Sequence, residues 1–113
     1  MIYKSIWKNE ELVMYNIEFH PKVFEDDFEE LSNEVLEEVL LYFQKYKQNP
    51  FKYSSKLYNL GKLNLEGYRK TYVANATYRI VIKIENNIAK VVEVVAVGKR
   101  QNKEVYEEAF KRI

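Results

Sequence analysis

The sequence contains no cysteine and only one histidine, His20, among its 113 residues. The missing thiols exclude disulfide bonds, thiolate nucleophiles and cysteine metal sites, and their absence is typical of proteins in a reducing cytosol. No apolar run approaches the length of a membrane span, and the first residues lack the apolar core of a signal peptide. We therefore expect a cytoplasmic protein without a membrane partner, a metal or a cofactor.

The net charge of +1 conceals a separation of charge along the chain. Residues 1–51 carry 5 cations and 11 anions, a net charge of −6, whereas residues 52–113 carry 13 cations and 6 anions, a net charge of +7. A basic half is typical of surfaces that bind nucleic acid or phosphate. Two solvated faces of opposite sign explain the same pattern, so the charges alone leave both interpretations open.

The order of apolar and polar residues predicts an α+β fold. Residues 15–19 alternate as a strand does, and two helices follow, the second capped by Ser32 or Asn33. The irregular segment 51–67 leads into three strands, at 68–73, 77–84 and 89–97, and a short helix begins near Asn102. We expect an N-terminal strand and a two-helix hairpin packed on one face of an antiparallel sheet of about four strands, followed by a short C-terminal helix.

The register of this sheet predicts where its cations lie. A two-residue loop at 75–76 places Tyr72 opposite Arg79, and the apolar alternation of the second strand then directs the core to the other face. Lys70, Tyr72 and Arg79 are therefore expected on a face that is open to solvent. An ordinary wet face, covered by the stems of lysine and arginine, is the competing interpretation.

The segment "VGKRQNKEVY" follows the last strand. Gly98 would permit a sharp exit from the strand, Lys99 and Arg100 would reach the open face, and Tyr106 would stand at its rim. Cations around an aromatic ring suit a nucleotide, because arginines hold phosphate and the ring stacks on a base.

Two other features favour structural roles. His20 lies at a predicted strand-to-helix corner, and the sequence indicates no catalytic partner for it. The acidic pairs at 26–27 and 29–30 have the spacing of a solvated helix face rather than of a metal site.

The stretch "TYRIVIKIENNIAKVVEVVAVGKRQNKEVYEEAF" resembles the C-terminal half of the RelE-type toxins of the RelE/ParE superfamily. The family pattern there is a Tyr-Arg that opens a strand, a β-hairpin, Val-Gly-Lys-Arg, and a Val-Tyr pair in the last helix. The resemblance covers about residues 14–113 as a RelE-like toxin domain. Residues 1–13 remain as an N-terminal extension that could add a strand.

The resemblance implies a bacterial or archaeal toxin of a type II toxin–antitoxin system. Such toxins are metal-independent endoribonucleases that cut messenger RNA in the ribosomal A site, and a co-expressed antitoxin silences them. The expected partners are therefore the antitoxin, the ribosome and messenger RNA. The family's catalytic lysine, its two phosphate-holding arginines and its nucleotide-orienting tyrosine fall on Lys70, Arg79, Arg100 and Tyr106.

The chain departs from the family pattern at two positions. Tyr72 replaces a second lysine, and Asn102 stands where some relatives carry another arginine. With Lys99, these residues are expected to contact RNA as auxiliary groups. Because both departures remove positive charge, two alternatives stay open: a ParE-type toxin that poisons DNA gyrase without nuclease chemistry, and an inactive relative retained to bind its antitoxin. We expect that antitoxin to cover the basic face, which is the sheet face with Lys70, Tyr72 and Arg79, or to displace a weakly anchored helix at 102–113.

Overall fold

The computed structural model describes residues 14–58 and 61–113, which form a five-stranded sheet with helices on both faces. The possible strand in residues 1–13 lies outside the described residues. The strands are β1 (Asn16–Phe19), β2 (Ser55–Lys56), β3 (Arg69–Val73), β4 (Tyr78–Asn86) and β5 (Lys90–Lys99). Their order in the sheet is β1-β5-β4-β3-β2.

The predicted α+β class is confirmed, and the sheet differs from the prediction in two details. The meander of β3, β4 and β5 is antiparallel, but β1 pairs with β5 in parallel. The long chain segment between β1 and β5 explains this, because only a short hairpin loop forces two strands to run antiparallel. β2 adds a fifth strand from the segment predicted to be irregular, and its two residues are too few to show an alternation.

The helical hairpin is present, but its first member is not a regular α-helix. A π-helical turn at Val23–Asp27 continues into a 3₁₀ turn at Phe28–Glu30. The second member is α1 (Asn33–Gln48), capped as predicted by Ser32, whose hydroxyl oxygen accepts a hydrogen bond from the amide of Val35 at 3.3 Å. A 3₁₀ turn at Gln101–Lys103 precedes α2 (Glu104–Arg112).

The main core lies between α1 and one face of the sheet. Val39, Phe43 and Tyr46 of α1 are buried there, whereas Leu40 is 45% exposed. The sheet contributes Val73, Ile80, Ile82, Val92, Val94 and Val97. This face is the core face that the apolar alternation of β4 predicted.

The opposite face of the sheet is covered rather than open. α2 packs on β4 and β5, and Val105 and Ala109 belong to a second apolar cluster with Val81 and Val95. A β-bulge shifts the register between β4 and β5, so that the neighbours Val95 and Ala96 both belong to this cluster. The expectation of an open face was wrong for the part that carries Arg79, because α2 covers this apolar surface, whereas Tyr72 on the same face is 52% exposed.

One buried ion pair joins α2 to the first helical turn. The guanidinium of Arg112 donates to both carboxylate oxygens of Asp27, at 2.8 and 2.9 Å, and to the carbonyl oxygen of Val95 at 3.0 Å. Asp27 also accepts from the amide of Val97 at 2.9 Å. The two side chains are only 6% and 9% exposed. Asp27 is therefore not part of a solvated face, and the last helix is not weakly anchored.

None of the helices in residues 14–58 and 61–113 combines the length and the apolar character that crossing a membrane requires.

Replacing Asp27 by asparagine should lower the free energy of unfolding by about 3–5 kcal/mol, because Arg112 would lose its buried anion and keep only the half-exposed Glu108, at 3.7 Å. Equilibrium denaturation in urea measures the change. The matched control is Lys111→Ala in the same helix, which removes a pair with Glu108 whose side chains are 70% and 51% exposed. That pair should contribute about 0–1 kcal/mol. Equal losses for the two variants would contradict the anchoring role.

Candidate active site

Arg79 is the second residue of β4, the middle strand of the sheet, and lies between two very different neighbours. It pairs with Tyr72 on β3 and with Gly98 on β5, which confirms the predicted register of the β3–β4 hairpin. The aromatic ring covers one flank of the arginine, and the glycine leaves the other flank without a side chain. The sequence therefore places a cation where the second apolar cluster ends.

The side chain of Arg79 is a buried cation with spare hydrogen-bonding capacity. The residue is 7% exposed, and its Nη1 donates to the carbonyl oxygens of Tyr78, at 3.2 Å, and of Ala76. Its Nε has no hydrogen-bond partner among the described residues, and none of the salt bridges found there involves Arg79. A guanidinium keeps its charge in proteins, so this arrangement is suited to an anion.

Tyr72 connects Arg79 to Lys70. The Cζ of Arg79 lies 4.0 Å from the centre of the Tyr72 ring, and the Nζ of Lys70 lies 5.4 Å from it. Lys70 also donates to the carbonyl oxygen of Lys56 at 3.3 Å. The ring is 52% exposed, so the aromatic residue that replaces a family lysine holds two cations at the surface of the sheet.

Tyr106 is buried, not at the rim as predicted. It is 6% exposed and belongs to the second apolar cluster, because α2 lies flat on the sheet. Burial raises the pKa of the Tyr106 phenol above its usual value, and the positive charges of Arg79 and Arg100 oppose that rise. The phenol therefore stays protonated at neutral pH. Its stacking on a base remains a prediction, and it requires the ring to leave this position.

Lys99, the last residue of β5, lies on a different face from Arg79, whereas Arg100 and Asn102 belong to the loop that follows the strand. Arg100 is exposed, and its backbone amide donates to the carbonyl oxygen of Thr77 at 3.0 Å, which holds this loop beside the β3–β4 turn. Lys99 pairs with Tyr78, which packs on the main core, so Lys99 lies on the face opposite Arg79. Asn102 is exposed and has the left-handed φ of 54° that asparagine tolerates well.

The turn before Arg79 has an unusual backbone. Ala74, Asn75 and Ala76 all have positive φ angles, of 52°, 53° and 69°. The amide of Ala74 donates to both carboxylate oxygens of Glu38 on α1, at 3.2 and 3.3 Å, and the carbonyl oxygen of Ala76 accepts from Arg79. Left-handed alanines are strained, and such strain often concentrates at functional sites.

Gly98 has a different role from the predicted one. Its φ is not positive and β5 continues through Lys99, so no sharp exit occurs at the glycine. A Cβ atom added at this position would lie 3.4 Å from the Cβ of Val105. The glycine therefore allows α2 to pack closely on the strand, which in turn brings Tyr106 toward Arg79.

His20 fits the structural role that its position favoured. Its Nδ1 accepts a hydrogen bond from the amide of Lys22 at 3.1 Å, at the start of the first helical turn. Among residues 14–58 and 61–113, no group of three or more histidine, aspartate or glutamate side chains is arranged to hold a metal ion.

Several solved structures share this architecture, although no family model and no curated protein matches the sequence. Among solved structures, an arginine-substituted mutant of the E. coli toxin RelE in complex with an antitoxin RelBc peptide is 26% identical, with a TM-score of 0.62; the match covers 88% of this chain and 98% of RelE.

The same mutant in the free state is 24% identical, with a TM-score of 0.63 and coverages of 88% and 98%. The toxin–antitoxin complex RelBE2 from Mycobacterium tuberculosis is 21% identical, with a TM-score of 0.61 and coverages of 78% and 100%. The chain has the fold of the RelE-type toxins. The resemblance inferred from the residues after β3 is thus confirmed at the level of the fold.

Two features of this RelE fold carry no signal in the sequence. Asp27 and Arg112 are 85 residues apart, and the acidic run around Asp27 looks like a solvated surface. A basic edge of the sheet, built around Lys52 and Tyr53, lies in the segment 51–67 that the sequence indicates to be irregular. Only the assembled sheet brings these residues together.

Substituting Gly98 by valine should destabilise the protein by about 1–3 kcal/mol, because the added methyl groups would meet Val105 and force α2 away from the sheet. Urea denaturation measures the loss. Gly98→Ala is the matched control: its single methyl makes an ordinary contact, and its effect should be clearly smaller. A valine variant as stable as the alanine variant would refute the close-packing role.

Proposed function

We propose that the protein is the toxin of a type II toxin–antitoxin system and acts as a metal-independent endoribonuclease on messenger RNA in the ribosome. The observation that carries the proposal is Arg79, a buried cation on the middle strand of a RelE-type sheet, whose Nε has no partner among residues 14–58 and 61–113. Solved structures with this fold are named as toxins, and two of them as complexes with an antitoxin. Such a toxin acts in the cytoplasm, where ribosomes and messenger RNA are found.

The chemistry needs no nucleophile from the protein. RNA supplies its own 2′-hydroxyl, which attacks the adjacent phosphorus when the two are aligned. Negative charge then builds on the phosphate oxygens, and charge-assisted hydrogen bonds from Arg79 and Arg100 stabilise it. The bond between that phosphorus and the 5′-oxygen of the next nucleotide breaks, and the departing oxygen takes up a proton from solvent. Lys70 either helps to remove the 2′ proton or stabilises the charge by its field.

The tyrosines orient these groups. Tyr72 lies against the guanidinium of Arg79 at 4.0 Å and restricts its motion, and its exposed hydroxyl can donate a hydrogen bond to the RNA. Tyr106 would stack on the base next to the cleaved bond after it leaves its buried position. A site that needs this change is suited to RNA that the ribosome presents in a fixed conformation, since catalytic contacts often tighten only when the substrate is bound.

A co-expressed antitoxin would silence the toxin by covering the basic face. The pair between Arg112 and Asp27 makes the displacement of α2 the more costly of the two routes considered, because it would separate two buried charges. Covering Lys70, Tyr72 and Arg100 requires no such separation. An acidic segment that folds on binding suits this surface.

A gyrase-poisoning toxin of the ParE type is the alternative, since one solved structure with the same fold is called a YoeB/ParE toxin, from Agrobacterium tumefaciens. That structure is 14% identical, with a TM-score of 0.60 and coverages of 75% and 98%. The clustering of Lys70, Arg79 and Tyr106 around one sheet position favours the nuclease, because a gyrase-binding surface does not require a buried phosphate-type site.

Replacing Arg100 by alanine should lower RNA cleavage about 10²- to 10³-fold, which is the usual cost of one preorganised donor to a developing negative charge. Arg100 is exposed, so the variant should fold normally, and Arg79→Ala should have an effect at least as large. Cleavage of messenger RNA by purified ribosomes with added protein measures the rate, and growth arrest on induction provides a cellular readout.

The control for both variants is Lys90→Ala, which removes one positive charge at the other end of β5. If Lys90→Ala lowers cleavage as much as Arg100→Ala, the effect comes from net charge alone and the assigned roles are wrong.

The products should identify the nucleophile. Cleavage should continue in the presence of a chelator, at magnesium levels that still keep ribosomes intact, and should leave a 2′,3′-cyclic phosphate. A messenger RNA with a 2′-O-methyl group at the cut site should survive, because the nucleophile is blocked. Mass spectrometry of the fragments distinguishes the products, and 5′-phosphate-forming hydrolysis with a 3′-hydroxyl would rule out this mechanism.

A further inference from the structure

A second basic surface lies beside the candidate site, at the edge of the sheet formed by β2 and β3. We call it the edge groove; its lining includes Tyr42, Lys52, Tyr53, Lys70 and Tyr72, and its volume is about 290 Å³. None of the described residues that line it is acidic. Lys70 and Tyr72 also belong to the candidate active site, so the two surfaces are continuous.

The lysines in and beside the edge groove are held by tyrosine rings rather than by carboxylates. The Nζ of Lys45 lies 4.8 Å from the centre of the Tyr42 ring and 5.3 Å from that of Tyr53. The Nζ of Lys52 lies 5.5 Å from the centre of the Tyr53 ring. Within residues 14–58 and 61–113, neither lysine forms a salt bridge.

This arrangement favours an anion as the ligand. A cation–π contact limits the motion of an ammonium group and leaves its charge and hydrogen-bond donors available. Fixed positive charges without counter-charges attract phosphates, and lysines interleaved with aromatic residues are typical of surfaces that follow a single-stranded nucleic acid. An acidic peptide would also satisfy the charges, but its carboxylates cannot stack on the exposed ring of Tyr72 as a base can.

We infer that the edge groove binds the phosphate backbone of single-stranded RNA, next to the phosphate held by Arg79 and Arg100. The inference rests on the proposed function for the position of the cleaved bond. The strand would pass from Arg79 over Tyr72 and Lys70 and then reach Lys52. Lys52 would contact a phosphate, and Tyr53 would act as a positioning residue for Lys52.

The test measures the binding of a 2′-O-methyl single-stranded oligoribonucleotide, which cannot be cleaved, to the full chain by fluorescence anisotropy at several salt concentrations. For single strands, each phosphate contact contributes about 0.7 to the slope of log K against log salt concentration. Lys52→Gln should reduce the slope by about 0.7. Lys90→Gln removes the same charge outside the groove and should leave the slope unchanged.

Tyr53 provides a second comparison. Tyr53→Phe keeps the ring and should bind as the parent does, whereas Tyr53→Leu should bind about 2- to 5-fold more weakly, because leucine cannot hold the ammonium group of Lys52. Thermal denaturation of the variants checks that they are folded. Because Lys52 is exposed, Lys52→Gln tests the inference even if Tyr53→Leu does not fold.

Equal salt slopes for Lys52→Gln and Lys90→Gln would overturn the inference, and so would polyglutamate or duplex RNA that competes for the groove as well as the single strand does. The assay involves no cleavage and is therefore independent of the proposed activity. A reduced slope for Lys52→Gln without ribosomal cleavage would refute the nuclease and support the groove. Cleavage with unchanged slopes would refute the groove alone.

Discussion

The ion pair between Arg112 and Asp27 fixes the position of the last helix, and the arrangement of the candidate site depends on that helix. With the pair formed, α2 lies on β4 and β5, and the absent side chain of Gly98 lets it approach closely. Tyr106 is then buried near Arg79. A contact between residues 85 positions apart thus acts with the second apolar cluster to hold α2 over Arg79.

The resulting site combines burial with unbalanced positive charge. Arg79 satisfies Nη1 with two backbone carbonyls of its own turn and leaves Nε without a partner among the described residues. Proteins seldom retain such a charge without an anion, because its desolvation is costly. The free-energy cost of desolvating Arg79 would be offset if a phosphate of the substrate binds to it. Tyr72 contributes by contacting two cations, Lys70 and Arg79, with one ring.

The sequence predicted those parts of the structure that depend on local pattern. The hairpin register that pairs Tyr72 with Arg79 follows from a short turn and from alternation, and the cap at Ser32 follows from side-chain chemistry. It did not predict that α2 covers Arg79, because the bulge at Val95 breaks the alternation of β5 and creates an apolar surface on which α2 packs. Asp27 was also misjudged, since only the folded chain shows that Arg112 reaches it. The assigned roles of Lys70, Arg79, Arg100 and Tyr106 remain predictions.

The central claim is that this buried positive site serves the cleavage of translated RNA. The most direct measurement is the mapping of transcript 5′ ends in cells shortly after induction of the protein, with an Arg100→Ala strain in parallel. The account predicts new ends within reading frames, at a preferred position of the codon, that are absent from untranslated RNA and from the variant strain. New ends that ignore the reading frame, or growth arrest with intact transcripts and altered DNA supercoiling, would contradict it.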